Sequence, residues 1–369
     1  MFINSFLSLI IKLNISIMMM IVVLMIGCGQ QAVEAGKGGA AGGEKQGAGS
    51  LSEVLMEVGK SAENAFYSFM ALVSDTLGLR VTKDTKKNEV GGYFNSLGGK
   101  LGKASDELEE VAKKSEVEGA KDGPIAVAIR AVVDTAKTTL NTLKTHLEFL
   151  KVIGDANQKV GEAASNAAGT AVDDIELKKA FNSLKGIVDT ATTEGVAKLK
   201  VGNTAVKVGN GTDNKDGAKI LGTDLAATAG DAGKAAAILS TVSGEEVLAS
   251  IVASKESDAA LSANATSDTS AISFAKGGNA AHLAGADATK AAAVVGGIAL
   301  RSLVKDGKLA AAAADAQGGQ GEVQAVGVAA VNKLLVAVED IIKKTVKNVL
   351  EKAKEKIDEA RASKRTVQQ

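Results

Sequence analysis

Cys28 is the residue whose type and position most clearly predict chemistry. It is the one cysteine of the 369-residue chain, and it follows an apolar run from Ile17 to Ile26 that ends in the small residue Gly27. Bacterial lipoprotein processing needs this order: a lone thiol forms a thioether to a diacylglycerol, and cleavage before the cysteine frees an amine for a third acyl chain. The pattern predicts a lipoprotein signal peptide over residues 1–27 and lipidation at Cys28.

A triacylated Cys28 would anchor the chain stably, because more than one acyl chain is needed for lasting membrane attachment. The alternative is an uncleaved transmembrane anchor with an incidental cysteine, since about 20 apolar residues span a bilayer. The uniqueness of Cys28, and the polar, glycine-rich sequence that begins at once with Gly29, favour the lipoprotein.

Other reactive side chains are few. The chain has two histidines, His146 and His282, and no free thiol once Cys28 is acylated. The chain therefore has too few such side chains to form a zinc site or a nucleophile with its base. Solvated helix faces and helix caps explain the carboxylate pairs Glu109-Glu110 and Asp173-Asp174 better than acid–base catalysis does.

Two motif fragments also carry little weight. Gly59-Lys60-Ser61 imitates the end of a phosphate loop, but Val54 occupies the place of the first glycine. The stretch from Asp213 to Gly217 lacks the alternating ligands of a calcium loop. We therefore predict no catalytic residue, no metal or cofactor site, and no enzyme.

The charge balance excludes one class of partner. The chain has 43 basic and 43 acidic residues, and removal of residues 1–27 takes away Lys12 alone, leaving 42 basic and 43 acidic residues. A net charge of 42 − 43 = −1 gives no electrostatic case for a nucleic-acid partner.

The composition favours helices. Only 3% of the residues are aromatic, and Pro124 is the single proline, so close packing through small side chains is expected. Residues 28–50 contain eight glycines without apolar periodicity and are predicted to be a flexible tether spanning roughly 25 Å.

Residues 51–154 are predicted to form an N-terminal helical frame. Apolar side chains recur at three- and four-residue spacing over 54–73, 90–111 and 125–150, which indicates three amphipathic helices. Gly98 and Gly102 lie within the second and predict either a bend or a close neighbour there.

Residues 155–325 are rich in Ala and Gly, and their few large side chains predict short helices and surface loops with shallow burial. Within them, a helix is best indicated over Lys290 to Val304, another begins near Asp173, and Asn210-Gly211 favours a short hairpin. Residues 326–369 are predicted to form one long helix, with an apolar stripe from Val331 to Ile357.

These elements predict an all-α fold, an elongated helical bundle. The long C-terminal helix needs a neighbour to cover its stripe, and the N-terminal frame offers one. The N- and C-terminal helices would then pack together at the membrane-proximal pole and leave the short helices and loops at the distal pole.

Three long strings carry a resemblance to a known family. They run from Tyr93 (YFNSLGGKLGKASDELEEVAKKSEVEGAKDGPIAVAIRAVVDTAKTTLNTLK), from Gly296 (GGIALRSLVKDGKLA) and from Val331 (VNKLLVAVEDIIKKTVKNVLEKAKEKIDEARASK). The chain resembles the variable large proteins, or variable major proteins, of relapsing-fever spirochaetes, which are related to the variable surface lipoprotein of Lyme disease spirochaetes.

The resemblance implies a helical lipoprotein of the cell outer membrane, exposed on the surface and seen by host antibodies. It implies one of many alternately expressed versions that allow evasion of the antibody response. It also implies that residues 155–325 are the variable region and that the stretch from Lys290 to Ala312 is an internal, covered helix.

Two other functions stay open. The alternative is an adhesin that grips host glycosaminoglycan or a serum or matrix protein through basic helix faces, with Lys343-Lys344, Lys347 and Lys113-Lys114 as candidates. A structural lipoprotein facing the periplasm is the third. The oligomeric state and the subfamily are left undetermined by the sequence.

Overall fold

The computed structural model describes residues 79–116, 123–207, 214–313 and 318–362. The predicted signal peptide, Cys28, the tether, the first amphipathic helix and the Asn210-Gly211 turn lie outside these residues.

The described residues form helices joined by irregular segments. The longer helices lie towards both ends of the described part, and the shorter ones lie between them. They are α1 Lys87–Ser115, α2 Pro124–Leu150, α3 Asp174–Thr193, a 3₁₀ helix Lys215–Leu221, α4 Asp231–Ser240, α5 Gly244–Val252, α6 Ala271–Lys276, α7 Ala280–Leu283, α8 Ala291–Leu303 and α9 Gln320–Ala362.

The predicted all-α class and helical bundle are confirmed. Within the described ranges there is no strand, and extended segments pair only through isolated bridges such as Ala163 with Leu309 and Ala205 with Lys290. Ala205 therefore pairs with a distant residue, and the described part of the expected hairpin makes no hairpin contact of its own.

Helices α1 and α2 pack along each other through their apolar stripes. Fully buried leucines such as Leu101, Leu140 and Leu147 face inward on them. Helix α1 is continuous through its glycines, and a Cβ at Gly98 would make only ordinary contacts at 3.5 Å. The close neighbour lies instead at Gly91, where a Cβ would overlap the carbonyl oxygen of Lys151.

Helix α9 is 43 residues long and begins at Gln320, six residues before the predicted boundary at 326. It packs on α2 of the frame, as expected, but also on α3, α4, α5 and α8 from the middle of the chain. The expectation that the N-terminal helices alone cover its stripe is therefore incomplete. The chain enters the described part beside α9, where Val81 exchanges two hydrogen bonds with the Asn332 amide, at 2.8 and 2.9 Å.

The prediction of shallow burial in residues 155–325 is wrong. Phe274, Ile298 and Leu300 are completely buried there, and alanines and valines fill the space between them. Small side chains allow close approach: a Cβ at Gly297 would overlap the Cβ of Phe274. Burial depth is thus achieved by tight packing rather than by large residues.

Within the described residues, no single helix is long and apolar enough to cross a membrane. One bent pair, α4 with α5, passes by length and composition, with an angle of 97° between its halves. Both halves pack against α9 and α8, so their apolar faces already have protein partners.

Candidate functional site

The lipidation site predicted at Cys28 lies outside the described residues and stays a prediction. The structure instead describes the part of the chain that such an anchor would carry.

The two histidines have structural surroundings. His146 on α2 is half-buried against Gly186 of α3, and burial lowers its pKa while the Asp189 carboxylate opposes that change. His282 lies in α7, and its Nδ1 is buried without a hydrogen-bond partner in the described structure. Among the described residues, no group of three or more His, Cys, Asp or Glu side chains is placed to hold a metal ion.

The first carboxylate pair lies in ion pairs between α1 and α2. Glu109 accepts hydrogen bonds from Lys137 and from Arg130 Nη1, the latter at 2.8 Å, and these cations lower the pKa of Glu109 to about 2. Glu110 pairs with Lys113 at 2.9 Å on the surface. A carboxylate held ionised in this way links two helices and is a poor general acid.

The second carboxylate pair starts α3. The Asp173 side chain accepts hydrogen bonds from the backbone N–H groups of Ile175 and Glu176, both at 2.9 Å, and so caps the helix. Asp174 pairs with Lys276 at 2.7 Å. The predicted start near Asp173 is confirmed by this cap.

The stretch from Asp213 to Gly217 is described from Asn214 onwards, and its Asp216 carboxylate lies in ion pairs. Asp216 pairs with Lys219 at 2.7 Å and with Lys234. Gly217 packs against the backbone of Ala235.

The basic groups proposed for adhesion lie beside carboxylates. In the α9 lysine cluster (Lys343, Lys344 and Lys347), the ammonium groups lie 3.7, 3.0 and 3.7 Å from carboxylates of Glu339, Glu245 and Glu351. Exposed pairs contribute about 0.2–1 kcal/mol each and can exchange partners. They nevertheless leave the α9 cluster close to electrically neutral, which weakens attraction for a polyanion.

Helix α8 is the buried centre of the middle region. The helix predicted from Lys290 to Val304 is confirmed by the bounds of α8, Ala291–Leu303, and all of its 13 residues are buried. Helices α4, α5, α6 and α9 pack around it. A helix that is apolar on every side requires such a shell.

Arg301 is the exception within α8, because it is a charged residue with no exposed surface. Its Nε donates a hydrogen bond to the Ala275 carbonyl at 2.6 Å, and Nη1 donates to the carbonyls of Thr170 and Lys308 at 2.9 and 3.3 Å. Nη2 donates to Leu221 at 3.4 Å. Burial lowers the pKa of Arg301 to about 9, which keeps the guanidinium charged at neutral pH.

Lys87 makes a second set of such contacts at the start of α1. Its Nζ is buried and donates to the carbonyls of Val304 and Gly307, each at 2.7 Å. Burial lowers the pKa of Lys87 to about 7, with the Glu162 carboxylate opposing this effect. Lys87 thereby ties the frame to the segment that follows α8, whereas the four carbonyls bound by Arg301 all lie in the middle region.

Sequence analysis did not single out Arg301 or Lys87. A signal existed for Arg301, since it is the one charged residue between Lys290 and Lys305. Lys87 stands in the lysine pair Lys86-Lys87, which looks like solvated charge, so its burial had no local signal.

The outer surface of the middle region consists of segments of small and polar residues. One of them is 255–269, in which Ala265 alone is buried. Its backbone is fixed to the interior by two hydrogen bonds, Leu261 N–H to Gly277 and Ala265 N–H to His282, both at 2.8 Å. The exposed side chains of this segment can change without disturbing α8, because its contacts with the interior are these backbone hydrogen bonds and the side chains of Leu261 and Ala265.

Comparison with known proteins identifies the family of this chain. The profile of the Borrelia lipoprotein family matches residues 62–357. The chain belongs to this family.

Its relatives include Variable large protein 25 of Borrelia hermsii, which is 74% identical over 98% of each chain. Variable large protein 12 of the same organism is 29% identical over 85% of this chain and 84% of its own. Among solved structures, the Lyme disease variable surface antigen VlsE of Borrelia burgdorferi is 25% identical, with a TM-score of 0.64 over 84% of this chain and 99% of its own. The resemblance seen in the sequence is confirmed, and the family is one of lipoproteins rather than of enzymes.

Proposed function

We propose that this chain is a variable surface antigen of the outer membrane, attached through acylated Cys28 and displaying residues 155–325 to host antibodies. In this proposal residues 1–27 are removed and residues 28–50 form the tether. The chain is one of many alternately expressed versions, so that antibodies against one version miss the next.

The observation that carries the proposal is the separation between a buried helix and an exposed shell. All residues of α8 are buried, whereas the 255–269 segment is exposed and held by backbone hydrogen bonds. Such a construction allows the recognised surface to change while the fold is kept. The names of the variable large proteins and of VlsE agree with this function.

Lipid attachment is tested on the native protein. Mass spectrometry should find acyl groups on Cys28, and the protein should partition into detergent. In the matched variant Cys28→Ser, which cannot form the thioether, mass spectrometry should find no acyl groups. A native protein without acyl groups would refute the anchor.

Surface display is tested by protease treatment of intact cells, with a periplasmic protein as the control for leakage. We expect cleavage within residues 155–325 while the periplasmic protein stays whole. Survival of the full-length chain would instead support the periplasm-facing lipoprotein. Antibodies from infection should bind the 255–269 segment, and substitutions there should abolish that binding without unfolding the protein.

Adhesion through basic faces is the weaker function. The lysines of the α9 cluster are matched by nearby carboxylates, and Lys113 is matched by Glu110. A heparin-binding face would instead need an excess of positive charge.

A further inference from the structure

The segment that follows α3 is an extended chain whose backbone is unpaired. Residues 196–204 run straight, with neither a turn nor a bend, as far as the bridge between Ala205 and Lys290. Within the described part of the chain, the backbone N–H and C=O groups of 197–203 have no hydrogen-bond partner. The 197–203 stretch contains no proline, so every residue in it offers both a donor and an acceptor. Such a chain is a template for a further strand.

The downstream end of the stretch already has strand geometry. The Ala291 N–H group donates to the Thr204 carbonyl, and the Val206 N–H group donates to the Thr289 carbonyl, both at 2.8 Å. This antiparallel pairing goes no further because the opposite segment enters helix α8 at Ala291. The fold therefore begins a ladder at Thr204 and leaves the residues before it without a partner strand.

The side chains of the stretch carry unmatched positive charge. Lys198 and Lys200 are exposed, whereas Leu199 between them is partly buried against the core. Because side chains alternate along an extended chain, the two lysines share the outward face. Neither ammonium group has an ion pair among the residues that the structure describes, in contrast with the lysines of the α9 cluster.

We propose that the 197–203 stretch binds an extended acidic peptide of another protein, which adds as a strand and places carboxylates opposite Lys198 and Lys200. Backbone hydrogen bonds would hold the peptide, and its alternate side chains would give specificity. Opposite charges directly across a strand pair stabilise the pairing. The Glu246 side chain lies against Gly202, so a carboxylate is disfavoured at that end of the peptide.

A second copy of this chain fits the stretch poorly. In an antiparallel pair centred on Leu199, Lys198 of one copy would lie opposite Lys200 of the other. A pair centred on Lys200 would place that residue opposite itself. Like charges directly opposite each other destabilise a strand pair, so charge favours an acidic partner over a second copy.

The continuation of the chain does not reach the stretch as a hairpin. With a two-residue turn at Asn210-Gly211, residue 203 would lie opposite residue 218, and earlier residues would lie opposite later ones. Residue 218 is within the 3₁₀ helix Lys215–Leu221, whose backbone is not extended. The stretch therefore needs a partner from outside this chain.

Binding is tested on the full-length protein with a short fluorescent peptide in which glutamate alternates with valine. Fluorescence anisotropy should detect saturable binding, and amide hydrogen exchange should slow in 197–203 when the peptide is bound. The matched control peptide has the same sequence but is N-methylated at two adjacent central residues, which removes donors on both edges and keeps the charge. It should bind about tenfold more weakly or worse.

Variants of the protein test the two lysines. Lys198→Gln combined with Lys200→Gln should weaken binding of the acidic peptide by about fivefold, because two cross-strand charge pairs are lost. Lys151→Gln combined with Lys255→Gln is the matched control, since these lysines are also exposed and have no ion pair in the described structure. It should leave the affinity unchanged.

Four outcomes would overturn the proposal. The first two are the absence of saturable binding and an affinity that the Lys198→Gln, Lys200→Gln chain retains. The third is full binding of the N-methylated peptide, which would show recognition of negative charge alone, as for a polyanion. The fourth is slower exchange in 197–203 when the protein alone is concentrated, which would show pairing with a second copy. None of these measurements depends on lipid attachment or antibody binding, so the proposed function is tested separately.

Discussion

Replacing Arg301 with methionine tests whether the buried guanidinium holds the middle region together. Methionine fills similar space but removes all donors to the carbonyls of Ala275, Thr170, Lys308 and Leu221. A hydrogen bond to a charged group contributes about 1.5–3 kcal/mol, and an orphaned buried acceptor costs about 1–3 kcal/mol. Relief from burying the charge offsets part of this loss.

The two shorter bonds, at 2.6 and 2.9 Å, should dominate the result. We therefore expect Arg301→Met to lower the free energy of unfolding by about 2–4 kcal/mol. Urea denaturation followed by circular dichroism at 222 nm measures this change, since the chain contains no tryptophan. Lys305→Met, an exposed change on the adjacent connection, is the control and should shift stability by less than about 0.5 kcal/mol.

Amide hydrogen exchange locates the effect. In Arg301→Met, exchange should accelerate in the segments around Thr170, Leu221, Ala275 and Lys308, while the interior of α1 keeps its protection. A variant as stable as the parent, or one with uniform loosening throughout the chain, would refute the reasoning, because Arg301 would then only fill space.

Three further predictions concern other parts of the structure. Because burial lowers the folded-state pKa of Lys87 from 10.5 to about 7, the unfolded chain binds more protons between these values. The free energy of unfolding of the parent chain, relative to that of Lys87→Met, should therefore rise with pH across this window, by up to about 1.4 kcal/mol per pH unit. Urea titrations at several pH values measure this difference, and a difference that does not change with pH would contradict the prediction. Gly91→Ala should destabilise the folded chain by about 1–3 kcal/mol in thermal unfolding, because the added Cβ would overlap the Lys151 carbonyl oxygen. An unchanged melting temperature would show that α1 shifts freely. Alanine at all three lysines of the α9 cluster should leave retention on a heparin column unchanged, and a large loss of salt-dependent retention would favour the adhesin.

Periodicity in the sequence located the long helices because each is amphipathic and its apolar stripe repeats locally. The stripe from 125 to 150 corresponds to α2 (Pro124–Leu150), and the signal over Lys290 to Val304 corresponds to α8 (Ala291–Leu303). The boundary of α9 was less accurate. The helix includes Gly327, where a Cβ would lie 2.6 Å from Ser302 Oγ and 2.7 Å from Gly161 Cα. The glycine is required by packing and does not mark a break.

The sequence alone determined the helical class, the scarcity of histidines and thiols for a catalytic site, and the predicted lipidation of Cys28. These depend on residue types, short-range spacing and composition. The tertiary structure decided which charges are buried and what they bind. Lys87 and Arg301 contact carbonyls as many as 220 and 131 residues away. No local pattern encodes such contacts, since a backbone carbonyl exists at every residue and only the fold brings six of them around two cations.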